Sequence, residues 1–148
     1  MAFYWNKQDA TAKALRAEWI RTGDKYHQDA DGFFFHGGRA DDMIKSGGIW
    51  VSPVEVEGAL IRHPAVVECA VIGVADADGL DKPHGIVVLR AGIEPSRAMA
   101  DDLRAFVKQS LAPYKCPKKI TFAADLPKTA TGKLKRYMLR NHEELRGV

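Results

Sequence analysis

The chain has 148 residues, 46% hydrophobic and 28% charged, with a net charge of +3, enough for one modest core and a smaller appendage. Its longest apolar run, residues 69–75, is too short to cross a bilayer, and no basic stretch followed by an apolar one opens the chain, so neither a membrane span nor a secretory leader is expected. Cys69 and Cys116 stand apart without metal or redox spacing, which predicts two reduced, mostly buried thiols in a cytoplasmic protein.

In chain order, residues 9–17 read as a short helix and 18–26 as a strand carrying Trp19 and Ile20 inward. The tetrad Asp29-Ala30-Asp31-Gly32 marks a turn, and Phe33-Phe34-Phe35 a second strand, together a hairpin. The tetrad recurs at residues 76–79; neither copy has the further ligands of a calcium loop, so both are turns. A boundary is expected within residues 38–42. Beyond it, Ser52-Pro53-Val54-Glu55 opens a helix with a capping serine, a first-turn proline and a glutamate placed to reach back. That helix should run to Arg62. Residues 66–74 and 85–89 are rich in β-branched side chains and predict paired strands. In residues 96–111, Met99, Leu103, Phe106, Val107 and Leu111 recur at helical spacing, a core stripe that Pro113 ends. A further strand over 119–123 and a terminal helix over 134–145 complete a small α+β domain after a hairpin.

Charge is unevenly spread. From Lys115 onward nine Lys or Arg face three Asp or Glu, whereas the preceding part has thirteen against sixteen. A basic tail suits nucleic acid, a membrane surface or a phosphorylated small molecule, or is a solvated helix face. No aromatic residues alternate with the basic ones as a base-stacking surface would favour. Within the tail, Leu126-Pro127-Lys128-Thr129-Ala130-Thr131-Gly132-Lys133-Leu134-Lys135-Arg136 places Lys133 after a glycine on a polar turn. A lysine there is a mobile point charge with three donors, suited to an anion that develops during a reaction. Taken alone, the Gly-Lys pair reads as a basic loop entering a helix. A phosphate-cradling P-loop is excluded, since Pro127 and Leu134 stand where that pattern needs Gly and Ser or Thr.

Two earlier motifs join it. Arg21-Thr22-Gly23-Asp24 sets a carboxylate, able to accept two hydrogen bonds at once, after a strand. Gly38-Arg39-Ala40-Asp41-Asp42-Met43-Ile44-Lys45-Ser46-Gly47-Gly48, closing with Val51-Ser52-Pro53-Val54-Glu55-Val56-Glu57, adds a planar guanidinium and a glycine pair. In this order and at these separations the motifs resemble the adenylate-forming superfamily of acyl-CoA synthetases, luciferases and peptide-synthetase adenylation domains. The strings Tyr4-Trp5-Asn6-Lys7, Asp9-Ala10-Thr11-Ala12-Lys13-Ala14-Leu15 and Gly48-Ile49-Trp50-Val51-Ser52-Pro53 look most like benzoate-CoA ligases.

The resemblance covers essentially the whole chain, and nothing here matches that family's phosphate-binding loop or acid pocket. It therefore implies the C-terminal end of a larger enzyme: residues 1–40 as the edge of the large adenylation domain, residues 41–148 as the mobile lid of short mixed sheets and about three helices. It implies Asp24 on the ribose hydroxyls of ATP, Arg39 on the nucleotide, Asp41 as the hinge and Lys133 as the catalytic lysine of adenylation. Ser46, Gly47 and Gly48 would lie along the pantetheine arm of coenzyme A, with Trp50 packed either on that ligand or, preferably, on the domain core. Lys115, Lys118 and Lys119 are weaker candidates for the coenzyme A phosphates. ATP and coenzyme A are the implied co-substrates, with magnesium held mainly by the large domain and no metal site here. The implied reaction is the activation of benzoate or a related aryl carboxylate to its adenylate and then its thioester, the isolated chain being inactive. A fatty acyl-CoA ligase domain and a non-catalytic nucleotide- or CoA-binding module are the alternatives. A lysine acyltransferase acting on Lys133 is a further implied partner; nucleic acid and membrane are not.

Overall fold

The computed structural model describes residues 4–141. The chain divides between Asp41 and Asp42 into two compact units. The first holds a short helix, α1 (Gln8–Ala14), a two-residue ladder pairing β1 (Leu15–Arg16) with β2 (Trp19–Ile20), and a hairpin of β3 (Asp24–Gln28) with β4 (Phe34–Arg39). The turn between β3 and β4 forms as its aspartate dictates, Asp29 Oδ1 accepting the backbone N–H groups of Asp31 and Phe33.

Here the expected elements shift. The helix expected over 9–17 ends at Ala14, and the strand expected over 18–26 is broken at Gly23, which adopts φ +80°. Trp19 and Ile20 are not inward but 74% and 57% exposed, because a two-residue ladder offers no second layer to cover them. The second strand is longer than Phe33-Phe34-Phe35 and carries Arg39 to its end.

The second unit is built on a three-stranded mixed sheet. β7 (Val66–Ala75) pairs antiparallel with β8 (Asp81–Leu89), and β8 pairs parallel with β9 (Lys119–Phe122). The run Cys69-Ala70-Val71-Ile72 is apolar at successive positions because both sheet faces are covered. Val71 and Val87 point into one core with Ile44, Val51, Val56, Leu60, Leu103 and Val107. Ala70, Ile72 and Ile86 point the other way, against Leu126 and Leu139. The first face is covered by α2 (Pro53–Leu60) and α3 (Arg97–Lys108), the second by the segment leading to α4 (Arg136–Asn141).

Ser52 caps α2 by accepting the Glu55 N–H, and the Glu55 carboxylate pairs with Lys115 Nζ at 2.6 Å. α2 and α3 stop two and three residues short of the expected ends, and β8 begins four residues before its β-branched run, at Asp81. Residues 44–51 form a tight hairpin of β5 (Ile44–Ser46) and β6 (Ile49–Val51). α4 begins at Arg136, since Leu134 is held in a bridge to Lys128; the expected end of that helix lies outside the described residues.

Candidate functional site

The segment 126–136 is a closed loop anchored at its base. Leu126 is buried in the second core, Leu134 packs half-buried beside it, and Lys135 N–H donates to Pro127 O. Thr129 knots the tip. Its backbone N–H donates to Lys133 O at 2.8 Å, its carbonyl accepts from Gly132 N–H at 2.9 Å, and its Oγ1 accepts from Lys133 N–H at 3.0 Å. Gly132 completes the turn at φ +81°, where a side chain would be strained although space is open around it.

Lys133 is thus gripped through its backbone while its side chain is exposed, with no ion-pair partner among the described residues. Three nearby cations are committed. Lys128 Nζ lies 2.7 Å from Glu68, whose hydrogen bond holds the ammonium pKa above its ordinary value. Arg136 Nη2 lies 2.7 and 2.6 Å from the two oxygens of Glu57. Arg140 Nη2 donates to Asp42 Oδ1. The outward Lys133 ammonium is available to an external anion.

The β5–β6 hairpin leaves the opposite sheet face, since Ile44 and Val51 are seated in the first core. Its turn is Gly47-Gly48, at φ +59° and +87°, with nothing within 4 Å of either position where a side chain would begin. Both glycines are exposed, leaving bare backbone for an extended ligand. Ser46, grouped with them on sequence, is 5% exposed, so its side chain faces the protein. Trp50 is not on the core but 60% exposed, with Lys45 Nζ 6.0 Å from its ring centre.

In the first unit, Asp24 and Arg39 are directly opposite each other across β3 and β4. Arg39 Nη1 donates to Thr22 O at 3.0 Å and approaches Asp24 Oδ1 at 3.5 Å, while its Nε approaches Asp41 Oδ1 at 3.4 Å. The guanidinium lies so close under Gly23 that a β-carbon there would meet Nη2 at 3.1 Å. Two residues 15 positions apart in sequence thus share one donor–acceptor cluster, with polar groups suited to ribose hydroxyls. Asp42, next to Asp41 in sequence, is committed to Arg136 and Arg140 of the second unit. Sequence reasoning missed Asp42 and Glu57; the signal was two acids and two arginines at positions 42, 57, 136 and 140, too dispersed to pair without the fold.

Of the weaker candidates, Lys115 is engaged by Glu55, whereas Lys118 and Lys119 sit between surface concavities of about 530 and 680 Å³. Among the described residues there is no group of three or more His, Cys, Asp or Glu side chains that could hold a metal ion. No helix of the described residues is long and apolar enough to cross a membrane.

Residues 55–133, more than half of the chain, match the family described as the AMP-binding enzyme C-terminal domain. The chain belongs to that family. It is 51% identical over 138 residues to a benzoate–CoA ligase of Thauera aromatica and 50% identical over 141 residues to a 4-hydroxybenzoate–CoA/benzoate–CoA ligase of Rhodopseudomonas palustris. Those matches take in 93% and 94% of this chain but 26% of each ligase, so this C-terminal-domain chain spans about a quarter of its relatives' length. Its fold superposes with a TM-score of 0.89 on the anthranilate CoA ligase AuaEII, solved in complex with anthranoyl-AMP. That match has 49% identity and covers 94% of this chain and 27% of AuaEII. The α+β architecture is that of the C-terminal domain of adenylate-forming enzymes.

Proposed function

We propose that this chain is the C-terminal part of an ATP-dependent acid–thiol ligase. The full enzyme would join an aryl carboxylate to the α-phosphorus of ATP, expelling pyrophosphate, and coenzyme A would then displace AMP through its thiolate. The observation that carries this reading is Lys133: a backbone-clamped, outward, unpaired ammonium in a chain of the AMP-binding family. Between the attacking carboxylate and the nucleotide oxygens it would offset negative charge as the bond to phosphorus forms, the work for which a positioned cation is worth most.

Asp24 would accept the ribose hydroxyls, and Arg39, held by Thr22 and Asp24, would donate to the nucleotide. Asp41 would be the hinge, since the division between units falls immediately after it. Rotation there would exchange the Lys133 loop for the Gly47-Gly48 turn, which leaves the other face of the sheet. Residues 1–40 would form the edge of a large adenylation domain, which their exposed Trp19, Tyr26, Phe33, Phe34 and Phe35 would pack against. Magnesium would be bound by that domain, and the reaction would run in the cytoplasm. Lys133 is also accessible to a lysine acyltransferase, and acylation would remove the charge that adenylation uses.

A benzoate-type acid is supported by the names of the relatives. The test is to complete this chain with the part of the Thauera aromatica ligase outside the match and supply ATP, magnesium, coenzyme A and a panel of benzoates and fatty acids. Aryl-CoA and AMP should appear only when both parts are present. A preference for fatty acids would overturn the substrate class, and nucleotide binding without turnover would make the chain a binding module.

A further inference from the structure

The Lys133 loop is self-closed at Thr129, which fixes the lysine relative to the loop but not to the body of the domain. Besides apolar packing at Leu126 and Leu134, each leg has a short ion pair to the body, and the second adds a longer one to Asp42. The first leg pairs Lys128 with Glu68 of β7 at 2.7 Å, both side chains being 34% exposed. The second pairs Arg136 with Glu57 of α2 at 2.6 Å, exposed only 19% and 16%. These two pairs differ in strength. Water screens the first, and such pairs contribute little. The second is largely desolvated, where removal of one partner strands the other.

Glu57 is also spoken for on its far side, its Oε1 accepting the Val71 N–H at 2.8 Å, so the carboxylate is fixed to the central sheet. Arg136 has little else to hold. Its Nε is buried without a hydrogen-bond partner, and its other contact, Asp42 Oδ2, is 3.6 Å from Nη1. Arg136 lies three residues after Lys133, with only Leu134 and Lys135 between.

We propose that Glu57 is a positioning residue for Lys133, acting through Arg136: the sheet fixes Glu57, Glu57 fixes the guanidinium, and the guanidinium fixes the second leg of the loop. Asp42 completes the chain of contacts, so that the residue following the proposed hinge and the loop carrying the lysine move as one body. This rests on the reading of Lys133 as the adenylation cation.

The test uses the full chain completed as above, with the acid that it activates fastest. Adenylation is read as acid-dependent exchange of labelled pyrophosphate into ATP; thioester formation is read from supplied acyl-adenylate and coenzyme A. Glu57→Gln should lower adenylation about tenfold to a hundredfold, the scale of a misplaced catalytic group, with thioester formation changed less than about twofold. In the Lys133→Ala background the same substitution should add less than about twofold, since the group it positions is gone. Glu68→Gln, on the exposed leg, should cost less than about threefold. Arg136→Lys, which retains the charge but loses the two-oxygen grip, should reproduce the selective loss if Glu57→Gln proves unstable. Equal losses in both half-reactions, or full additivity with Lys133→Ala, would overturn the positioning role alone. Unchanged adenylation in Lys133→Ala would overturn the parent reading and this inference with it.

Discussion

Lys133 is presented by Thr129, and the hydroxyl matters as much as the backbone. Thr129 Oγ1 accepts the Lys133 N–H and lies 2.9 Å from Thr131 Oγ1. Thr129→Val keeps the shape and removes both bonds, which should cost about 1 kcal/mol of stability and lower adenylation several-fold; unchanged activity would show that the backbone alone sets the tip. His84 makes a different prediction. It is 2% exposed, its Nε2 lies 2.7 Å from Thr121 Oγ1, and burial, aided by Lys119, holds its pKa at about 4 against an ordinary 6.5. The folded ring takes its proton later than the unfolded one as pH falls. Its contribution is therefore whole above pH 6.5, declines below it and has gone by about pH 4, a loss of at most about 3 kcal/mol. Urea midpoints of wild type and His84→Gln should converge as pH falls from 7 to 4.5; a gap independent of pH would refute the assignment. The thiols should be inert, because burial, with Glu57 and Glu68 beside it, raises Cys69 to about 12, and burial raises Cys116 as well. Iodoacetamide at pH 8 should label neither until urea unfolds the chain, as mass spectrometry would show.

At the scale of elements, the predicted strands and helices that survived are those whose pattern is unambiguous. The stripe from Met99 to Val107 has one period, and α3 buries Leu103 and Val107 as that period requires. The apolar run in β7 marks a strand covered on both faces. Trp19 and Ile20 misled because hydrophobic side chains are inward only where another layer exists. The β5–β6 hairpin was legible in principle, since Gly47-Gly48 between Ile44 and Val51 is a two-residue turn signal. Three-residue strands are too short to show alternation, so the sequence pattern marks only the glycine pair. The site shows the same division. Lys133, Gly47 and Gly48 were visible as local motifs, whereas the Glu57–Arg136 pair joins positions 79 apart and exists only in the fold. Gly47→Ala should cost about 1 kcal/mol through its left-handed φ and impair thioester formation before adenylation, which thermal denaturation and the two half-reactions would separate.

For the whole molecule, the division between Asp41 and Asp42 leaves Asp24 and Arg39 on one unit and Lys133 with Gly47-Gly48 on the other. Within the second unit, the sheet keeps the last two apart, on opposite cores. A single rigid lid carrying two tools on two faces can use only one at a time, so the proposed ligase must run its half-reactions in two orientations. The most direct measurement is a crossover of half-reactions in the completed enzyme. Lys133→Ala should lower adenylation by about a hundredfold to a thousandfold and spare thioester formation from supplied adenylate. Gly47→Val, which puts a branched side chain on the bare turn, should do the reverse. Both substitutions striking the same half-reaction would contradict a lid that works in turn from its two faces.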